Sequence, residues 1–113
     1  MPYLRLSTNI TINEEAKREL AEEIADRIII LVGTKPERTM VEISDNDYMF
    51  FAMNDDPCMK IRLELFKSMD MAFKQEFVRQ IVGFISQKTG IPAERIYLTI
   101  SEYENWSSGG VIR

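Results

Sequence analysis

The sequence predicts an α+β domain: two pseudo-symmetric β-α-β repeats forming one four-stranded mixed sheet with two helices on one face. Two observations predict it. The first is a gapless self-match at an offset of 57 residues. Leu4-Arg5-Leu6 falls on Ile61-Arg62-Leu63, Leu20, Ile24 and Ile28 fall on Phe77, Ile81 and Ile85, and Gly33 falls on Gly90. The segment from Gly33 to Ile43 falls on Gly90 to Ile100, with Glu37/Glu94, Arg38/Arg95 and Ile43/Ile100 shared. Apolar matches alone arise by chance, but the Gly, Glu-Arg and Leu-Arg-Leu matches together do not. The second observation is the order of periodicities in each half: alternation, then helical spacing, then alternation again. A crossover between parallel strands of one sheet is almost always right-handed, so each half reads as a right-handed parallel unit.

In chain order, Tyr3 to Thr8 reads as a strand with Leu4 and Leu6 on one side and Tyr3, Arg5 and Ser7 on the other. Asn13 is the predicted N-cap of a helix, with Glu14 and Glu15 in its first turn, where negative charge suits the helix dipole. Ala16, Leu20, Ile24, Ile28 and Leu31 give it an apolar face, and Glu14/Arg18 and Glu23/Arg27 are i,i+4 pairs on the solvated face. Gly33 ends it. Thr34-Lys35-Pro36 is a loop and Thr39 to Ser44 a second strand. Asp45 to Asp47 is a turn into a short strand, Tyr48 to Met53, and Asn54-Asp55-Asp56-Pro57 is a further turn. Cys58 to Phe66 alternates most cleanly, with Met59, Ile61, Leu63 and Leu65 on one face. Ser68 or Asp70 starts a second helix carrying Phe73, Phe77, Ile81 and Ile85, which Gly90 ends, and Ile96 to Ser101 is the next strand. The tail from Glu102 to Arg113 holds the only Trp and a Ser-Ser-Gly-Gly turn suited to a terminal strand or hairpin.

One domain spanning residues 1–113 fits the length, with repeats at about 2–44 and 59–101 and a tail at 102–113. Leu4, Leu6, Val41, Ile43, Ile61, Leu63, Leu98 and Ile100 are expected under the helices. The opposite sheet face carries Arg5, Ser7, Glu42, Ser44, Arg62, Glu64, Thr99 and Ser101, read either as a solvated face or as a polar channel between subunits. Salt bridges with Glu42 and Glu64 explain Arg5 and Arg62 on that face. A formal net charge of −4 argues against a nucleic-acid surface, which needs clustered Lys and Arg. No apolar run approaches the ~20 residues of a membrane span, and no secretory leader opens the chain. A single cysteine, Cys58, suits the cytoplasm, and without any His it leaves no zinc site and no expected cofactor.

The same inventory narrows the chemistry. With no His and one isolated Cys, no side chain serves as a base near neutral pH without a large shift. Met1-Pro2 offers another route: loss of the initiator methionine turns the Pro2 nitrogen into a secondary amine. A free α-amino group titrates near ~8, and burial or nearby cations bring it lower, into the range of a general base. The plainer alternative is that Pro2 is a rigid strand opener.

Two β-α-β repeats, an N-terminal Met-Pro, Gly33-Thr34-Lys35-Pro36-Glu37, Asp56-Pro57-Cys58 and the run from Pro92 to Tyr97 together resemble the tautomerase superfamily, in its macrophage migration inhibitory factor branch. The resemblance runs nearly end to end. It implies a homotrimer whose sheets wrap a central channel, with active sites between subunits, acting without a cofactor on a small keto or enol acid such as phenylpyruvate. Pro2 would be the general base, Lys35 the carboxylate anchor, and Phe66 the position whose backbone amide meets substrate. Tyr97 would supply a phenol from a neighbouring subunit, and Trp106 would wall the pocket. Thr99 stands where the family has Asn, and Leu65-Phe66-Lys67 replaces its Ser-Ile-Gly, which adds a second cation. Cys58 lacks the second cysteine of the redox motif that some members carry. These departures keep two alternatives in view: a non-catalytic trimeric binding or signalling module, and a decarboxylase- or hydratase-type reaction that uses Lys67.

Overall fold

The computed structural model describes residues 2–33 and 35–113. Met1, whose removal the Pro2 expectation turns on, and Thr34 of the predicted loop lie outside the described residues. The first repeat comprises β1 (Tyr3–Thr8), α1 (Glu14–Arg27), the short α2 (Ile29–Val32), a single 3-10 turn (Pro36–Arg38) and β2 (Met40–Ser44). The second comprises β3 (Met59–Phe66), α3 (Met71–Thr89), a matching 3-10 turn (Ala93–Arg95) and β4 (Ile96–Tyr103). The tail closes as a hairpin of β5 (Ser107–Ser108) and β6 (Val111–Ile112).

The sheet order is β2-β1-β3-β4. Strands within a repeat are parallel, and the repeats join through antiparallel β1 and β3, with Leu4 opposite Leu63 and Leu6 opposite Ile61. This junction is a near two-fold, because equivalent strands of the two repeats lie side by side. The core sits between this sheet and the helices: Leu4, Leu6, Ile61, Leu63 and Leu65 meet Ile24, Ile28, Phe77, Ile81 and Ile85, all buried. Val41, Ile43, Leu98 and Ile100 on the outer strands are partly buried against them. At ~25 cal/mol per Å², burial of these side chains is the term that drives the two β-α-β units together.

Local chemistry explains the element ends. The Asn13 side chain accepts the Ala16 N–H at 2.8 Å, the N-cap bond expected of it. Gly33 and Gly90 take left-handed conformations, φ 58° and 76°, at the ends of the two helical segments. Asp70 is the N-cap of α3, with extended backbone and no capping bond from its side chain.

Five expectations are corrected. The predicted first helix breaks at Ile28, where the Leu31 N–H bonds to the Ile28 carbonyl at 3.0 Å and tightens the turn within a run of three isoleucines. Tyr48 to Met53 is not a strand. Phe51 and Asn54 form an isolated bridge around Ala52 and Met53, both at positive φ, which reverses the chain. Glu14 pairs with Lys17 at 3.5 Å, and Arg18 pairs with Glu22 at 3.2 Å in place of Glu14, whereas the Glu23–Arg27 pair forms. Arg5 meets Glu42 at 3.5 Å, but Arg62 forms no ion pair with Glu64 among the described residues. Arg62 instead lies directly across from Arg5 in the β1–β3 register, a like-charge neighbour that costs stability. Phe73, counted in the apolar stripe of α3, is 49 % exposed.

Candidate active site at the start of the first strand

Backbone pairing builds the site. The Met40 N–H donates to the Pro2 carbonyl at 3.0 Å, which ties the entry of β2 to the entry of β1. Just before Met40, the Pro36–Arg38 turn closes with the Arg38 N–H on the Lys35 carbonyl and the Thr39 N–H on the Pro36 carbonyl, both at 3.0 Å. The first strand of the tail hairpin borders this end of the sheet across a cleft. This cleft, of about 660 Å³, is lined by Pro2, Tyr3, Arg38 and Met40 on the strand side, Glu64 from β3, and the run from Trp106 to Gly109. Pro2 itself is buried. The Tyr3 hydroxyl donates to the Glu42 carboxylate, and that bond first, then burial, raises its pKa, so it stays protonated at neutral pH.

Pro2 and Trp106 thus line one cleft. The other expected residues lie elsewhere in the chain. Lys35 is exposed and does not line the cleft. Tyr97 and Thr99 are exposed on β4, with β3 between that strand and β1; Tyr97 sits beside Lys60 in register and packs edge-on against Phe51 at 4.8 Å. Phe66 ends β3 opposite Tyr103. Lys67 follows at φ 70°, its N–H on the Tyr103 carbonyl at 2.8 Å and its ammonium 5.0 Å from the Phe66 ring centre. This left-handed position is the one at which the resembling segment carries glycine, and a lysine there is strained. Both charged residues that line the cleft, Arg38 and Glu64, are absent from the site residues the sequence suggests. The shared Glu-Arg of the two repeats pointed to Arg38; no local signal marked Glu64, which pairs with Tyr3 only through the antiparallel junction.

A second cleft, of about 600 Å³, lies between α1 and α3. Glu19, Glu22, Glu23, Asp26 and Lys88 line it, with Glu22 paired to Arg18 and Glu23 to Arg27. Among the described residues, no group of three or more His, Cys, Asp or Glu side chains is placed to hold a metal, and no helix is long and apolar enough to cross a membrane.

This fold and cleft define a tautomerase-type domain. The profile of the macrophage migration inhibitory factor (MIF) family matches residues 1–111, and the chain belongs to that family. Its structure is similar to that of MIF2 from Leishmania major, with a TM-score of 0.91 at 22 % identity over 100 % of this chain and 97 % of that one. It is similar also to the MIF homologue of Prochlorococcus marinus, with a TM-score of 0.88 at 22 % identity over 97 % of each chain. A member of the cis-3-chloroacrylic acid dehalogenase family, N1, superposes with a TM-score of 0.85 at 19 % identity over 97 % of this chain and 82 % of that one. No curated protein sequence matches the chain.

Proposed function

We propose that the protein, once Met1 is removed, is a cofactor-independent tautomerase that interconverts the keto and enol forms of a small α-keto acid such as phenylpyruvate. The observation that carries this reading is a buried Pro2 in a cleft walled by Trp106 and holding a guanidinium, Arg38. The secondary amine of Pro2 takes the proton from the carbon beside the ketone. The C–H electrons form the carbon–carbon double bond, and the ketone oxygen takes a proton to become the enol. Burial and a nearby cation both work against the ammonium form of an amine, the direction a general base needs. A nearby cation also stabilises the enolate as charge develops.

A homotrimer completes the proposal. Both edge strands expose apolar side chains, Met40 on β2 at 67 % and Tyr97 on β4 at 60 %, and a long bare edge is a liability unless a partner covers it. A neighbouring copy is also the route by which Tyr97 and Thr99 reach a Pro2 cleft. A decarboxylase- or hydratase-type reaction on the same scaffold is a second reading, favoured by the strained Lys67 cation at the end of β3. Activity on a β-keto acid that survives Lys67→Ala removes that role for Lys67, and no activity on a β-keto acid removes the reading.

The test is ketonisation of phenylpyruvate enol followed by absorbance, with protein whose intact mass shows Met1 removed. Pro2→Gly lowers the catalysed rate by about 10²–10⁴-fold, the range of a positioned general base. Equal rates for the two proteins sink the tautomerase reading. A native protein that keeps Met1 throughout has no amine at Pro2, which leaves a binding module.

A further inference from the structure

We propose that Arg38 is the residue that holds the substrate carboxylate in the Pro2 cleft, in the role that family resemblance gives to Lys35. The ligand class it selects is monocarboxylates with an apolar tail that lies along Trp106. The proposal rests on the reading of the Pro2 cleft as the substrate site, and three observations carry it.

The first is placement. Both residues are exposed, but Arg38 lines the cleft with Pro2, whereas Lys35, in extended backbone at the entry of the same turn, does not. Two residues after Arg38, the Met40 N–H is bonded to the Pro2 carbonyl, which ties the segment that carries the arginine to the start of β1.

The second is the repeat. Arg38 and Arg95 end equivalent 3-10 turns, Pro36–Arg38 and Ala93–Arg95. Arg95 is fully engaged. Its guanidinium donates to the carbonyls of Pro57 at 2.8 Å, Asp56 at 2.9 Å and Phe51 at 3.3 Å, and lies 5.1 Å from the centre of the Phe51 ring. Arg38 makes no side-chain hydrogen bond or ion pair with any described residue. The same local device is used as a clamp in one repeat and leaves a free fork of donors in the other.

The third is chemistry. A guanidinium presents parallel N–H donors that match both oxygens of a carboxylate, and orients a planar α-keto acid better than an ammonium does. The Glu64 carboxylate, which lines the same cleft beside Tyr3 in the β1–β3 register, opposes a second negative charge, which restricts the class to monoanions.

Trp106 is the only tryptophan in the chain and lies in this cleft, so its fluorescence reports occupancy directly. The probe is 3-phenylpropionate, which lacks the ketone and binds without turning over. Wild-type protein gives a saturable change, Arg38→Gln raises Kd by about tenfold or more, and Arg38→Lys restores part of the loss. Lys35→Gln, the competing candidate, loses less than Arg38→Gln. Phenylsuccinate, with its second carboxylate, binds more weakly than 3-phenylpropionate, and Glu64→Gln narrows the gap. Unchanged binding in Arg38→Gln, or a larger loss in Lys35→Gln, overturns the assignment. A gap that Glu64→Gln leaves untouched overturns the monoanion selection. Ketonisation assays on the same proteins separate the two levels. Binding without turnover retires the tautomerase reading and keeps the Arg38 site. Turnover with kcat/KM indifferent to Arg38→Gln retires the Arg38 site and keeps the tautomerase reading. The absence of any saturable change in wild type retires the Arg38 site.

Discussion

In the first repeat, the Asp45 carboxylate accepts the Ile12 N–H at 2.8 Å and pairs with Lys17 at 2.9 Å. In the second, Glu102 accepts the Met69 N–H at 2.6 Å and pairs with Lys74 at 3.1 Å. Each member of one trio stands 57 positions from its counterpart, so both repeats carry one device: a carboxylate at or just past the end of the second strand pins the loop that feeds the helix. Both carboxyls have lowered pKa values, from the backbone N–H first and the lysine second.

The repeats differ where strands meet loops. After β1, the Asn9 side chain accepts the Cys58 N–H at 2.9 Å and donates to the Asp55 and Asp56 carbonyls, while the Thr8 hydroxyl donates to the Cys58 carbonyl at 2.7 Å. The counterparts of Thr8 and Asn9 after the duplication are Leu65 and Phe66, which make no such bonds, and strained Lys67 follows. Arg95 likewise clamps the loop before β3, whereas Arg38 faces the cleft. Scaffold contacts are thus kept in both copies. The copies diverge at strand ends, where a side chain released from a structural bond becomes available to a ligand.

This contrast can be broken most severely at the arginines. Arg95→Ala removes three charge-assisted bonds and is expected to cost about 1.5–3 kcal/mol in urea unfolding, whereas Arg38→Ala changes stability by less than about 0.5 kcal/mol. Equal costs would mean that the two residues share one structural role. The paired carboxylates come next. A carboxyl whose folded pKa is lowered binds fewer protons folded than unfolded, so its contribution is complete above the ordinary value near ~4 and disappears as pH falls through the lowered folded value. Asp45→Asn and Glu102→Gln each lower the thermal midpoint at pH 7, and the gap from wild type closes in acid. A gap that widens in acid contradicts the shared device. The smallest effect belongs to Lys67→Gly, which relieves the left-handed lysine and stabilises by about 0.5–1 kcal/mol, the flexibility of an unfolded glycine offsetting part of the relief. No gain would mean that Lys67 is not strained.

Much of the fold was legible in the residues. Alternation in Leu4-Arg5-Leu6 and Met59 to Leu65, helical spacing from Leu20 to Ile28 and from Phe77 to Ile85, and the glycines at 33 and 90 define the strands, helices and stops. The site was legible less evenly. Pro2 and Trp106 share a cleft, but the duplicated Glu-Arg pair was read as a mark of the repeat, and its two arginines have different surroundings.

The sequence alone determined the repeat, its strands and helices and the buried face, because a period of 2 or 3.6 and the freedom of glycine act within a few residues of chain. Tertiary structure alone decided the strand order, the pinning of Ile12 by Asp45 and of Met69 by Glu102, and which of two duplicated arginines stays free. Each of these depends on a partner 30 or more positions away or on the antiparallel meeting of β1 and β3, and side-chain periodicity carries no record of such a partner.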